Sequence, residues 1–436
     1  MHAMFSLDQP HWRHLLWLPV LLYGASVLAF AVNVPVGDDH VVLDTLTDLH
    51  SVSDLRGWFD RILAPHNEHR IVTTRLIAYA FSRLPDGIDF RALIFVGNAA
   101  LLGSLWVLGG LLGLGRRSAA RAVLVLIVLQ PQPHKLMFYP MAIIGAYGGL
   151  LFSMAYLHFT LKRGKEYIAP LFLAGTVLTT GAGIFLIVLG TLALALRRRW
   201  TPLVVHLAVA VALAGWYFHA VRPAETQIVA FALRNPLVLA RMFLGLLGGI
   251  AEFPSYQLGW ISNYTTVATG TVLLIYSGVI AQRTLRKGSQ AGDTDLALLL
   301  CLLYGLMTIA LITLNRAPLY KDVMLIATLD GRYRIYGLLV AALCMIDCLQ
   351  QLDSRQLLTR RLLGSVMACA LIFNVGWYAY RADTMGAAAL ARTVALQIWL
   401  RTGDTSELPS WALEPEIAGR ILHRATAAGV FRPASP

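Results

Sequence analysis

Leu237-Val238-Leu239-Ala240-Arg241-Met242-Phe243-Leu244-Gly245-Leu246-Leu247-Gly248-Gly249-Ile250 is apolar apart from a single arginine. Whether this stretch crosses a bilayer decides the arrangement of the whole chain. It is shorter than the roughly 20 residues a crossing helix needs, and Arg241 lies within it. The sequence therefore predicts an interfacial or re-entrant helix here, with Pro254 and Trp260 after it. The crossing segments are then about eleven: Leu15–Val34, Ala92–Leu114, Ala122–Gln130, Met141–Thr160, two in Tyr167–Leu196, Pro202–His219, Thr265–Ala281, Leu296–Leu314, Ile335–Leu349 and Leu362–Tyr380. The two in Tyr167–Leu196 meet at a tight turn, Thr179-Thr180-Gly181-Ala182-Gly183.

With the amino terminus inside, the inner loops hold Arg116/Arg117/Arg121, Lys162/Arg163/Lys165, Arg197/Arg198/Arg199, Arg283/Arg286/Lys287 and Arg355/Arg360/Arg361. Short inner loops rich in Lys and Arg are the charge signature of membrane insertion. A crossing at 237–250 would invert that pattern for every later loop. The expected carboxy terminus is outside.

Composition agrees. Of 436 residues, 57% are hydrophobic and 14% charged, and the mean hydropathy is +0.63. Soluble domains carry about 25% charged residues, so this chain lacks the polar surface to face water on all sides. The net charge of +12 falls in short clusters between apolar runs and does not form a nucleic-acid-binding face. The four cysteines, Cys301, Cys344, Cys348 and Cys369, all lie in apolar runs and read as packing groups. The expected class is an all-α, polytopic integral membrane protein. Residues 1–380 form the transmembrane domain, including a first outer loop (35–91) and a second (220–264). Residues 381–436 are a small helical tail outside.

The outer loops carry the chemistry. Gly37-Asp38-Asp39-His40 follows the first span directly. Adjacent carboxylates repel, which raises the pKa of at least one unless a cation neutralises it, and that suits a general base or a metal ligand. The same loop contains an amphipathic stretch, Leu55–Leu63, expected to lie on the membrane surface. It then reads Pro65-His66-Asn67-Glu68-His69-Arg70, leading into Ile71–Phe81 with Arg75. A helix starting at Pro65 would place His66, His69, Arg70 and Thr73 on one face. Two histidines three apart can share a metal, so a divalent cation stays open as a cofactor. His134-Lys135 follows the break Pro131-Gln132-Pro133, and Asp330-Gly331-Arg332-Tyr333-Arg334 precedes a late span. Arginines there serve either as interface anchors or as bidentate phosphate ligands.

A carboxylate pair after the first span, a long first outer loop with amphipathic helices, the glycine turn at 179–183, Arg332-Tyr333 before a late span and the His66–Arg70 run together resemble the GT-C superfamily of membrane glycosyltransferases. The His-Asn-Glu-His-Arg run looks like that of bacterial members near surface-polysaccharide genes. Many members have Asp-Glu where this chain has Asp38-Asp39, so which carboxylate acts stays open. The resemblance implies transfer of a sugar from a polyprenyl-phosphate donor to a glycan or lipid acceptor of the cell envelope (an O-antigen or similar polysaccharide), with inversion, on the outer face of a bacterial inner membrane. Asp38 would be the base and Asp39 would orient it or help bind acceptor or metal. Glu68, His66, His69, Arg70 and Arg75 would shape the sugar and acceptor site. His134, Lys135, Arg332, Tyr333 and Arg334 would hold the phosphate. The alternatives are a flippase or transporter of lipid-linked sugars and a glycan polymerase or ligase.

Overall fold

The structure, a computed structural model, describes residues 12–66, 70–115, 119–219, 226–252, 259–319, 331–352, 357–408 and 414–433. Those residues form helices and turns. Isolated bridges are the nearest thing to a strand among them, as between Gly87 or Ile88 and Phe431. The helices are α1 (Trp12–Phe30), α2 (Asp39–Ser51), α3 (Leu55–Leu63), α4 (Val72–Ser82), α5 (Phe90–Leu111), α6 (Ala119–Val128), α7 (His134–Met137), α8 (Pro140–Ile143), α9 (Gly149–Leu161), α10 (Ala169–Thr179), α11 (Phe185–Leu196), α12 (Trp200–Phe218), α13 (Thr226–Arg234), α14 (Pro236–Leu247), α15 (Gly259–Lys287), α16 (Asp293–Arg316), α17 (Arg334–Leu352), α18 (Leu357–Thr402) and α19 (Pro415–Ala427).

Each of the eleven expected crossings coincides with a helix, but six among the described residues are long and apolar enough to span a membrane. They are Phe90–Leu111, Pro140–Leu161, Trp200–Phe218, Ile261–Lys287, Asp293–Arg316 and Arg334–Gln351. Several of the others are short among the described residues. At 1.5 Å per residue, the ten residues of α6 rise about 15 Å, half the apolar thickness of a bilayer. Glu166–Thr179 and Gly181–Leu196 are likewise short apolar pieces. They form the expected hairpin: Thr180 is extended at φ −153°, a 3-10 turn covers Gly181–Ile184, and α11 returns. The open ends of the hairpin meet where Arg199 donates to Glu166 (2.6 Å) and to the Leu161 carbonyl (3.2 Å).

The decisive stretch forms α14 and follows a bend, a shape that a broken span and a re-entrant loop share. α13 and α14 are bent by 98° at Asn235–Pro236. Beyond the bend, α14 lies so close to α15 that a Cβ on Gly248 would strike the Thr266 carbonyl, and one on Gly270 the Leu244 carbonyl. Such close backbone approach is how apolar helices gain packing where neither partner is driven out of water.

Two ends of the bundle differ in kind. At one, Arg199 meets Glu166, Arg197 meets Asp293 (2.6 Å), and Gly113 faces Thr294, so several basic inter-helix segments gather there. Arg116, Arg117 and Arg355 lie outside the described residues. At the other end sit α2 to α4, α7, α8 and the carboxy-terminal helices. α18 is unbroken through residue 381, where the sequence suggested a boundary. Its 46 residues are about 69 Å long. α19 then folds back onto α2, with Arg424 bonded to Asp44 (2.5 Å) and Asp48 (2.7 Å). Phe431, fully buried, stands edge-on to Phe90 at 5.6 Å, and the Ile88 N–H donates to the Val430 carbonyl (2.8 Å). Among the cysteines, Cys301 and Cys344 are buried thiols, whereas Cys369 is exposed.

Candidate active site

The loop after α1 turns at Gly37, whose φ of +54° is a conformation open to glycine and strained for other residues. The turn sets Asp38 at the N-cap of α2 and Asp39 at its first position. An N-cap aspartate normally accepts a hydrogen bond from the helix's own free N–H groups. Asp38 does not. Its backbone N–H donates to the Tyr139 hydroxyl (2.8 Å), while its half-buried carboxylate has no hydrogen-bond or ion-pair partner among the described residues. Asp39 is the opposite case. It is 1% exposed, and its two oxygens accept from the Val36 N–H (2.9 Å) and the Met141 N–H (2.8 Å). It thereby ties the turn to the start of α8.

Burial pushes the Asp39 carboxyl up to about 8, against the two backbone N–H groups; Asp38 adds to the rise and Arg392 opposes it. A carboxyl raised on folding stabilises the protein fully below its unfolded pKa and loses that contribution as pH climbs through the folded value. Wild-type stability is therefore expected to fall between about pH 4 and pH 8 more steeply than that of Asp39→Asn, read as unfolding temperature against pH in detergent. Parallel curves would remove the claim. His40, also buried, points Nδ1 at the Gly37 carbonyl (3.0 Å). A carbonyl only accepts, so Nδ1 carries the proton and Nε2 keeps a lone pair, for which the described residues supply no donor. Burial lowers the His40 pKa, with the Gly37 bond opposing.

The segment 130–141 links this pair to a second cluster. Arg392 of α18 donates to the Phe138 carbonyl (2.9 Å). Toward the other end of the segment, α7 packs on the 3-10 turn Gly331–Tyr333, where Gly331 approaches the Gln132 carbonyl. His134, Lys135, Arg334 and Arg381 gather there. Burial, then Arg381 and Arg334, lower His134 to about 4, so at neutral pH it is a neutral imidazole. Lys135 is exposed. Arg334 is buried with Glu252, donating to Oε1 (2.7 Å) and contacting Oε2. Tyr333 has Arg316 over its ring at 5.8 Å. The Arg332 side chain lies outside the described residues.

The expected Pro65 helix does not form at the described residues. Ala64 is extended at ψ 144°, as residues before proline tend to be, and α4 begins only at Val72. Glu68 and His69 lie outside the described residues; His66 is buried. Arg70 is taken up by the end of α12. It donates to the carbonyls of Leu63, Trp216 (3.2 Å), Tyr217 (3.2 Å) and His219, and stacks on the Trp216 ring at 4.3 Å. Arg75 closes α3, donating to the carbonyls of Ile62 (3.3 Å), Ala64 and Pro65 (3.4 Å). A cation at a helix carboxy terminus complements the dipole and the unpaired carbonyls. Arg70→Lys is expected to destabilise nearly as much as Arg70→Ala, by about 2–4 kcal/mol, because an ammonium cannot reproduce the fork. Recovery of the wild-type unfolding temperature by lysine would contradict this.

No family model matches the sequence. No curated protein matches it either. Among the described residues no group of three His, Cys, Asp or Glu side chains is placed to hold a metal ion. The sequence reading overlooked Arg381, Arg392, Glu252 and Tyr139. Arg381 and Arg392 had a signal: eleven residues is three helical turns, so both fall on the stripe of Tyr378, Met385 and Leu396, which are buried.

Proposed function

We propose that this chain is an inverting glycosyltransferase of the GT-C type, moving a sugar from a polyprenyl-phosphate donor to a glycan or lipid acceptor at the surface of a bacterial inner membrane. The observation that carries the reading is the Asp38 carboxylate: an N-cap residue that forgoes capping, held by its backbone, at one end of a segment whose other end gathers cations. This arrangement favours Asp38 over Asp39 as the base, since both Asp39 oxygens already serve the backbone. Asp38 takes the proton of the acceptor hydroxyl as its oxygen bonds the anomeric carbon. The bond from that carbon to phosphate oxygen breaks, and the electron pair leaves with the polyprenyl phosphate. Lys135 and Arg381 stabilise that developing charge. Arg334, charge-balanced by Glu252, braces the cluster.

In this reading the bundle has about eleven membrane passes, completed by paired short helices. The basic end lies inside, by the positive-inside rule, and the carboxylate end lies outside. The transporter alternative rests on ionisable groups between helices. The main one, Asp347, accepts from Tyr276 (2.9 Å) and from Arg283, so it serves to tie α15 to α17. The test is transfer of labelled sugar from membrane-extracted polyprenyl-phosphate donors by purified protein. Transfer by the wild type supports the enzyme. Tight binding of lipid-linked sugar without transfer would replace it with the transporter.

A further inference from the structure

The bend between α13 and α14 leaves one face uncovered. Val229 is 63% exposed, Leu233 79% and Leu237 78%. Arg234 and Arg241 are exposed on the same limbs, Arg241 one turn beyond Leu237. Neither arginine has a hydrogen-bond or ion-pair partner among the described residues. The two limbs together are as apolar as a membrane-crossing helix, so the surface around these guanidinium groups suits lipid and not water. A cation at a lipid-facing position is costly unless it snorkels to the interface or meets an anion there. Leucines beside it seat in acyl chains while the guanidinium forks onto phosphate oxygens. The opposite face of α14, with Met242, Leu246 and Leu247 buried, fixes the limb to the bundle and holds the arginines outward.

We infer that the α13–α14 elbow is a binding site for the phosphate headgroup of anionic phospholipid, with Arg234 and Arg241 as its ligands and Leu233 and Leu237 as its acyl contacts. The site is separate from Asp38 and from the cluster at His134, and stands whether or not the chain transfers sugar. Its function is to anchor the elbow at the headgroup level, which keeps the 237–250 stretch from being drawn through the bilayer.

The test is native mass spectrometry of the whole purified chain titrated with phosphatidylglycerol, with phosphatidylcholine as the neutral reference. The expected result is preference for phosphatidylglycerol, reduced about five-fold by Arg234→Gln or Arg241→Gln and about thirty-fold by both. Arg234→Lys/Arg241→Lys should fall between the wild type and the double glutamine variant, since an ammonium keeps the charge and loses the fork, and Arg401→Gln, at an exposed arginine in the last turn of α18, should keep all of the preference. If the double glutamine variant does not purify, the two single variants give the same reading. Undiminished preference in the glutamine variants overturns the inference. So does equal retention of phosphatidylcholine. Displacement of lipid by inorganic phosphate at matched concentration would mark a free-anion site, and a dimer peak lost in the glutamine variants would mark a second chain as the occupant. Either result overturns the lipid assignment.

Discussion

Asp38→Asn is expected to lower sugar transfer by about 10²–10⁴-fold, the range a positioned general base contributes, while leaving the protein folded. The second half of that statement follows from geometry. Asparagine preserves the backbone N–H bonded to Tyr139, and the carboxylate it replaces caps nothing. Steady-state transfer and unfolding temperature on one preparation check both halves. Asp39→Asn supplies the contrast: an amide can accept from only one of the Val36 and Met141 N–H groups, so stability changes along with activity. Transfer by Asp38→Asn near the wild-type rate would end the assignment of Asp38. Wild-type protein inactive with every donor tried would end the glycosyltransferase reading itself.

The largest effect on stability is expected at Glu252. It is 6% exposed and Arg334 7%, and their bidentate contact is a buried ion pair. Removing one member leaves the other charge buried without compensation, which costs about 3–5 kcal/mol. Glu252→Ala should therefore unfold well below the wild type in detergent. Replacing both members by apolar residues of similar volume, Glu252→Leu with Arg334→Met, is expected to recover most of the loss, since neither desolvated charge remains. A double variant as unstable as Glu252→Ala would show that Arg334 matters for its packing rather than for its charge. If the bracing role is right, the recovered double variant retains transfer at reduced affinity for the lipid donor.

The helical architecture was legible because apolar length is a one-dimensional property. α5, α12, α16 and α17 stand within a few residues of their expected places, and α3 coincides with Leu55–Leu63. The 98° bend at Asn235–Pro236 was not legible: the sequence marked the stretch after it as short and charged, and the turn comes before that stretch. The site was half legible. Asp38 and Asp39 could be found because adjacent carboxylates are conspicuous in an apolar chain, but their division of labour depends on Met141 and Tyr139, about a hundred positions away. The arginines at 70 and 75 drew attention as cations, and a local sequence cannot show that their donors are taken by the carbonyls at the end of α12 and α3. Arg392 and Glu252 were overlooked because their partners, Phe138 and Arg334, come from distant parts of the chain.

The pairing of Ile88 with Val430, and of Asp44 and Asp48 with Arg424, sets a timetable for biogenesis. The residues that cover α2 are synthesised more than three hundred positions after it, which at 5–20 residues per second is roughly 20–70 s. Throughout that interval the carboxylate loop waits without its cover. The loop end is thus among the last parts to mature, after every helix between has been synthesised. Nascent chains released early would carry those helices and an incomplete loop end, and quality-control proteases would meet an exposed α2 as the mark of an unfinished molecule.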